Sequence, residues 1–187
     1  MSETKLVVGL GNPGREYAAT RHNVGFRVID LLAEALSTAV KKRKFGAMFA
    51  KTEFAGKRLM LLKPLEFMNR SGRAVAKAVG FYRLELSDLL VITDDMALEP
   101  GRIRIRATGS SGGHKGLADV IEKLGTEDVG RLRIGIGKCT EQDAVDFVLD
   151  RPSEQEEEMI EQATARAREA ALWWVEYGID AAMNKFN

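Results

Sequence analysis

The sequence has one cysteine, two histidines and four prolines among 187 residues, and no apolar run in it approaches 18 residues. Cys139 alone cannot form a disulfide within the chain, and the missing apolar run excludes a transmembrane helix. The opening residues lack the basic segment and apolar stretch of a secretory signal. Two histidines and one cysteine also show no spacing typical of metal ligands. We therefore expect a cytoplasmic protein that uses neither a metal nor another cofactor.

The net charge of +1 hides an uneven distribution. Residues 151–187 hold four basic and eight acidic side chains, a net charge of −4, so residues 1–150 carry +5. This excess includes the run Lys41, Lys42, Arg43 and Lys44 and the arginines of the segment RIRIR. A basic body suits a polyanionic partner such as nucleic acid, although a solvated lysine face is the commoner explanation of such a run.

Strand and helix patterns alternate along the chain, which is typical of an α/β protein. Apolar or alternating segments predict strands at 5–10, 46–54, 57–64, 88–93, 102–107 and 131–137, with a hairpin turn at Ala55 and Gly56. Helical spacing begins near residues 24, 69, 117 and 154, and Ser153 with Glu156 forms a capping box for the last of these. Length and composition fit one domain over residues 1–187.

The run GLGNPG at residues 9–14 follows the first predicted strand and matches the dinucleotide fingerprint G-x-G-x-x-G. In that fold the turn leads straight into a helix whose N-terminus faces the pyrophosphate. Here Pro13 stiffens the turn, and the next nine residues lack helical periodicity. A tight glycine turn explains the run better than nucleotide binding does, but it does not explain the amide of Asn12, which we expect at the exposed tip.

Polar side chains follow three of the predicted strands, namely Asn12, Asn69 and Asp94. If these strands run parallel, the three side chains meet at the carboxyl ends of the sheet, beside the loop that carries His22. A histidine before a helix is by itself more often structural. Beside a carboxylate, however, an imidazole can accept a proton from water at neutral pH, and amides can bind a peptide main chain. This combination indicates a hydrolytic site, with water as nucleophile because no serine or cysteine lies in a nucleophile elbow.

Two further segments suit an anionic ligand. The loop TGSSGGHKG at residues 108–116 opens a predicted helix and offers backbone N–H groups, although a mobile loop without a ligand explains it equally well. Strand alternation groups several arginines on polar faces, where they suit either a phosphate clamp or solubility alone. These are Arg102, Arg104, Arg106 and Arg133.

Together these segments resemble the bacterial peptidyl-tRNA hydrolase family. In chain order the shared motifs are VGLGNPG (8–14), Tyr17, TRHN with Gly25 (20–25), KP (63–64), FMN with SG (67–72), DD (94–95), GGH with GL (112–117) and RLRIGIG (131–137). The resemblance implies a monomeric α/β fold whose twisted mixed sheet has helices on both faces. It also implies a crevice without metal that hydrolyses the ester between a peptide and the 3′-terminal ribose of tRNA.

The resemblance also implies roles for single residues. His22 is expected to be the base that activates water, and Asp94 its carboxylate partner. Asn23 is expected to support the loop that presents His22. The remaining expectations are peptide binding by Asn12 and Asn69, a cleft lined by Tyr17, Met68 and His114, contacts of Arg106 and Arg133 with the 5′-phosphate of tRNA, and a cleft border at residues 139–149.

The chain departs from the family pattern at Lys115, where the family commonly has an asparagine after the glycine-loop histidine. That asparagine is credited with positioning the water or the tetrahedral oxyanion. A lysine could stabilise an oxyanion electrostatically or reach a phosphate instead. Residues 96–99 and 138–140 depart as well, which affects only local loop shape.

Two alternatives belong to other functional classes. Plant organellar intron-splicing proteins resemble this family yet act by binding RNA, and an oxidoreductase would rest on the glycine fingerprint alone. The joint presence of Asn12, His22, Asn69 and Asp94 favours catalysis over both.

Overall fold

A computed structural model of the chain describes residues 3–139 and 143–187. In this described part, seven strands form one mixed sheet in the order β2-β3-β4-β1-β5-β7-β6. The central strands β4, β1, β5 and β7 are parallel, whereas β3 and β6 pair antiparallel with their neighbours. The strands are β1 (Thr4–Gly9), β2 (Lys42–Lys44), β3 (Ala47–Phe54), β4 (Lys57–Pro64), β5 (Leu89–Asp95), β6 (Ile103–Arg106) and β7 (Gly130–Gly135).

Helices cover both faces of this sheet. One core contains side chains of α1 and α5, and the other contains side chains of α2 and α3. The central strands read as continuous apolar runs because both of their faces are buried. The helices are α1 (Val24–Ala35), α2 (Ser71–Tyr82), α3 (Lys115–Leu124), α4 (Ala144–Leu149), α5 (Glu154–Tyr177) and α6 (Ile179–Phe186). The expected α/β fold with a mixed sheet between helices is thereby confirmed.

Local boundaries follow the expected pattern with small shifts. The hairpin of β3 and β4 turns at Ala55 and Gly56, and the capping box of Ser153 and Glu156 starts α5. The helix expected from residue 69 begins as a 3-10 turn, Met68–Arg70, before α2 starts at Ser71. Within the residues that the structure describes, no helix is both long and apolar enough to cross a membrane.

The turn after β1 does not open a helix, so the dinucleotide arrangement is absent there. Two short 3-10 helices, Arg15–Tyr17 and Arg21–Asn23, separate it from α1. The start of α1 instead packs directly on the sheet through Gly9 and Gly25. A Cβ at Gly9 would lie 2.2 Å from the Gly25 carbonyl oxygen, and one at Gly25 would lie 2.5 Å from the Leu10 carbonyl oxygen. These glycines therefore bring the loop of residues 20–23 close to the end of β1.

Substitution of these packing glycines should be costly. Gly25→Ala forces a methyl group against backbone atoms and should lower the free energy of unfolding by about 1–3 kcal/mol, as overpacking does. Gly80→Ala in α2 is the matched control, because nothing lies within 4 Å of its added Cβ. The control should raise stability by about 0.5–1 kcal/mol through helix propensity. Urea denaturation measures both, and equal effects of the two substitutions would contradict the packing argument.

Candidate active site

A cleft of about 510 Å³ opens where the parallel strands end. Because β1 pairs in parallel with both β4 and β5, the residues that follow these strands meet there. Asn12, His22, Met68, Asn69 and Asp94 all line the cleft, as the sequence predicts. The glycine loop forms one side through Ser111, Gly112, Gly113, His114 and Lys115, and α4 forms an apolar wall through Ala144, Val145, Val148 and Leu149.

The carboxylate of Asp94 is the centre of the site. It is only 3% exposed and lies at the end of β5. Nδ1 of His22 lies 2.8 Å from its Oδ1 and 2.9 Å from its Oδ2. Nε2 of His114 lies 2.9 Å from the same Oδ1. One buried carboxylate thus accepts hydrogen bonds from two imidazoles.

These contacts fix the tautomers of both rings. His114 accepts the backbone N–H of Leu117 at its Nδ1, with a distance of 3.1 Å, so the proton of this ring sits on Nε2 and points at Asp94. His22 presents Nδ1 to the carboxylate of Asp94, so in the neutral ring the proton sits on Nδ1 and Nε2 is the nitrogen without a hydrogen. Across the described part of the chain, no protein group bonds that nitrogen. It is the only ring nitrogen of this pair that can accept a proton from a ligand or water.

The two histidines also control the ionisation of Asp94. Burial alone would raise the pKa of this carboxyl group, but its electrostatic attraction to His114 and His22 and the hydrogen bonds from them outweigh the effect of burial and hold the pKa well below its ordinary value. Asp94 is therefore a carboxylate at neutral pH and an acceptor only.

A network of amides joins Asn12 to the loop of His22 and to Met68. Asn12 is only 7% exposed, so the expectation that it lies at an exposed tip is wrong. It is buried in the lining of the cleft. The side chain of Asn23 pairs with both backbone groups of Asn12, at 2.8 and 2.9 Å. Oδ1 of Asn12 accepts the backbone N–H of Met68 at 2.8 Å. That bond identifies the oxygen, so the NH₂ group of Asn12 is the one available to a ligand.

The other polar groups lie at the rim. Asn69 and Lys115 are exposed and line the cleft, and Lys115 is the first residue of α3. Arg133 also lines it, and its Nε lies 2.9 Å from the buried Asp95 carboxylate. Arg106 is exposed on the edge strand β6. In register Arg106 faces Arg131, and Arg133 faces Arg104, so Arg106 and Arg133 are diagonal neighbours on one sheet face.

Comparison with known proteins gives one consistent result. The family model described as peptidyl-tRNA hydrolase matches residues 6–187. The chain belongs to the peptidyl-tRNA hydrolase family. It is similar to the peptidyl-tRNA hydrolase of Caldanaerobacter subterraneus subsp. tengcongensis, with 48% identity over 97% of this chain and 98% of the relative. The peptidyl-tRNA hydrolase of Syntrophomonas wolfei is 45% identical over 98% of this chain and 100% of the relative.

Solved structures of the peptidyl-tRNA hydrolase family agree with the fold. The crystal structure of peptidyl-tRNA hydrolase from Acinetobacter baumannii superposes with a TM-score of 0.94 at 35% identity, and the match covers 100% of this chain and 96% of that one. The seven-stranded mixed sheet described above is thus the fold of this family.

The structure also shows where three further features implied by the family resemblance lie. Tyr17 is half-buried on the 3-10 helix Arg15–Tyr17 and is not among the residues that line the cleft. Asn23, expected to support the loop that presents His22, is 2% exposed, and its side chain pairs with the backbone of Asn12. Of the expected border at 139–149, α4 lines the cleft, and residues 140–142 lie outside the described part. Residues 138–140 depart from the family pattern, and residue 140 also lies outside the described part.

Sequence reasoning missed two features that peptidyl-tRNA hydrolase motifs alone do not reveal. His114 shares Asp94 with His22, although spacing along the chain gives no sign of it. Arg131, which alternates with Leu132 in the same strand as Arg133, is 2% exposed. Its guanidinium donates to the carbonyl oxygens of Gly109, Ser110, Glu127 and Val129 at 2.6–3.1 Å and so anchors the glycine loop.

His22, Asp94 and His114 also form a group whose candidate ligand atoms all lie within 4.8 Å of one another. Spacing along the chain, on which the expectation of no metal rests, does not reveal this grouping. The nitrogens that face Asp94 carry the protons of the hydrogen bonds described above, and a metal would have to displace those protons.

The lowered pKa of Asp94 makes a prediction about stability. A carboxyl group whose folded pKa lies below its unfolded value, about 4, stabilises the fold above that pH and loses this contribution as the pH falls further. Asp94→Asn lacks the titrating group. Below about pH 4, we expect the free energy of unfolding to fall more steeply with decreasing pH in the wild type than in Asp94→Asn. Urea denaturation across pH 3–7 measures it, and parallel pH curves for the two proteins would show that Asp94 is not held by the histidines.

Proposed function

We propose that the chain hydrolyses the ester bond between the peptide and the 3′-terminal ribose of peptidyl-tRNA, with water activated by His22. The observation that carries this proposal is the geometry of His22: its Nδ1 contacts the buried Asp94 carboxylate, which leaves Nε2 as the ring nitrogen available to water in the cleft. The protein would act in the cytoplasm as a monomer and recycle tRNA from prematurely released peptidyl-tRNA.

His22 performs the proton transfer. Its Nε2 accepts a proton from water as the oxygen attacks the ester carbonyl, and Asp94 stabilises the resulting imidazolium through the Nδ1–H. The proton then passes from Nε2 to the ribose oxygen as the ester bond breaks. His114 holds the same carboxylate oxygen from the other side, which keeps Asp94 aligned with His22.

The amides and Lys115 position the substrate. The NH₂ group of Asn12, which donates to no protein group within the described ranges, suits a main-chain carbonyl of the peptide, and Asn69 offers a second amide at the rim. Lys115 lines the cleft and has no ion-pair partner among residues 3–139 and 143–187. Its ammonium group supplies positive charge to the tetrahedral oxyanion in place of the asparagine of the family pattern.

Arg106 and Arg133 bind the 5′-phosphate of tRNA. Diagonal positions on neighbouring strands set their Cα atoms roughly 7–8 Å apart, which lets both guanidinium groups reach one phosphate. The ion pair with Asp95 holds Arg133 in place at its Nε and leaves the two terminal nitrogens of the guanidinium for the phosphate.

His22→Ala tests the base directly. Without an acceptor for the water proton, kcat for an N-blocked aminoacyl-tRNA should fall by about 10²–10⁴-fold, while tRNA binding stays near the wild type. The variant should still fold, with a lower unfolding temperature because Asp94 loses one of its two imidazole partners. Activity is measured as release of the blocked amino acid, and binding by fluorescence anisotropy. Full turnover in His22→Ala would refute its role. An inactive wild type that binds tRNA tightly would instead favour the RNA-binding alternative.

Lys115 is tested by a pair of substitutions. Lys115→Asn restores the residue of the family pattern and should keep kcat within about tenfold of the wild type, whereas Lys115→Met removes the charge and should lower kcat by about 10²-fold with little change in KM. Steady-state kinetics at two salt concentrations separates the roles. A raised KM with a weaker salt dependence would place Lys115 on a phosphate instead.

A further inference from the structure

Arg21 is a buried cation beside the catalytic histidine that the reaction itself does not use. It is 7% exposed, yet it lies in the loop of residues 20–23, between Thr20 and His22. A charged guanidinium is rarely buried unless its hydrogen-bonding groups are engaged. The contacts that engage it identify what the residue does.

The contacts of Arg21 lead to α4 and the start of α5, more than 120 residues away in sequence. Its guanidinium donates to the carbonyl oxygen of Phe147 at 3.2 Å and lies 4.2 Å from the centre of the Phe147 ring. Its backbone N–H donates to the carbonyl oxygen of Asp150 at 3.1 Å. Arg21 therefore holds both the middle and the end of the segment that contains α4.

Glu156 completes the attachment. Its Oε2 accepts from Arg21 at 2.8 Å and from the backbone N–H of Ser153, also at 2.8 Å. The capping box that starts α5 is thus tied to the same guanidinium. Since α5 packs on α1 and the sheet, Arg21 connects α4 to the rigid part of the fold.

The segment so held is the apolar wall of the cleft. α4 has six residues, none of them fully buried, and four of them line the cleft. Val145 and Leu149 are 54% and 37% exposed. A helix this short, with little of its own surface buried, depends on tertiary contacts to keep its position.

We propose that Arg21 is a positioning residue that fixes the apolar wall of α4 relative to His22, and thereby sets the affinity for the peptide part of the substrate. This inference rests on the proposed function. One loop carries both His22, the base, and Arg21, which holds α4. The distance between α4 and Nε2 of His22 is therefore fixed. The wall receives apolar side chains of the peptide, because its exposed surface offers aliphatic groups and few polar ones.

Arg21→Gln tests the proposal against Arg27→Gln. Arg27 is the matched control because it also joins an N-terminal segment to the start of α5, through its ion pair with Glu157, but its guanidinium makes no hydrogen bond or ion pair with Ala144–Leu149 of α4. Arg21→Gln should raise KM for a peptidyl-tRNA with apolar side chains about tenfold, the scale expected for losing hydrogen bonds to a charged group. Its kcat at saturation and the pH profile of kcat should stay close to the wild type, since His22 remains held by Asp94. Arg27→Gln should leave both constants unchanged.

Hydrogen exchange provides a readout that needs no substrate. The amides of residues 143–150 should exchange about tenfold faster in Arg21→Gln than in the wild type or Arg27→Gln. Arg21→Lys keeps the charge but loses the planar group over Phe147, so it should give intermediate values and serves if Arg21→Gln does not fold. Exchange in this segment and KM that match the Arg27→Gln control would overturn the proposal. If the wild type does not hydrolyse the substrate, the proposed function fails, while the exchange data still test the attachment.

Discussion

The site depends on one buried charge. A carboxylate that is 3% exposed is costly unless hydrogen bonds satisfy it, and the groups that satisfy Asp94 are two imidazoles. Satisfying the carboxylate also determines where the protons of the two rings lie. Each ring must present an N–H to the carboxylate, so Nε2 of His22 is left as the proton acceptor and His114 is left without one. The reactive tautomer thus follows from the need to satisfy a charge at the end of β5.

Backbone geometry brings these three side chains together. Gly9 and Gly25 let α1 start against the end of β1, and the side chain of Asn23 then pairs with the backbone of Asn12. That pairing places His22 over the strand ends. On the other side, Arg131 anchors the glycine loop through its carbonyl oxygens, which holds His114 over the same carboxylate. Two loops far apart in sequence are therefore fixed by polar groups that are themselves buried.

Much of this arrangement could be predicted from the sequence. Apolar runs ending in polar residues predicted the strands, and the convergence of Asn12, Asn69 and Asp94 followed on the condition that these strands run parallel, because strand direction determines where those residues meet. The pairing of β1 with β4 and β5 meets that condition. The burial of Asn12, the pairing of His114 with Asp94 and the inward direction of Arg131 were not predictable in this way. Each depends on which groups remain unsatisfied after the loops pack, and loop packing has no periodicity to read. The contacts of Arg21 with α4 and α5 bridge more than 120 residues and leave no local pattern either.

The protonation of the two histidine rings tests this account most directly. Nitrogen-15 NMR of the imidazoles at neutral pH distinguishes protonated from unprotonated ring nitrogens at each residue. The structure predicts a proton on Nδ1 and none on Nε2 for His22, and the reverse for His114, with both assignments lost or mixed in Asp94→Asn. A His22 ring that carries its proton on Nε2 in the wild type would contradict the account, because no acceptor would then face the cleft.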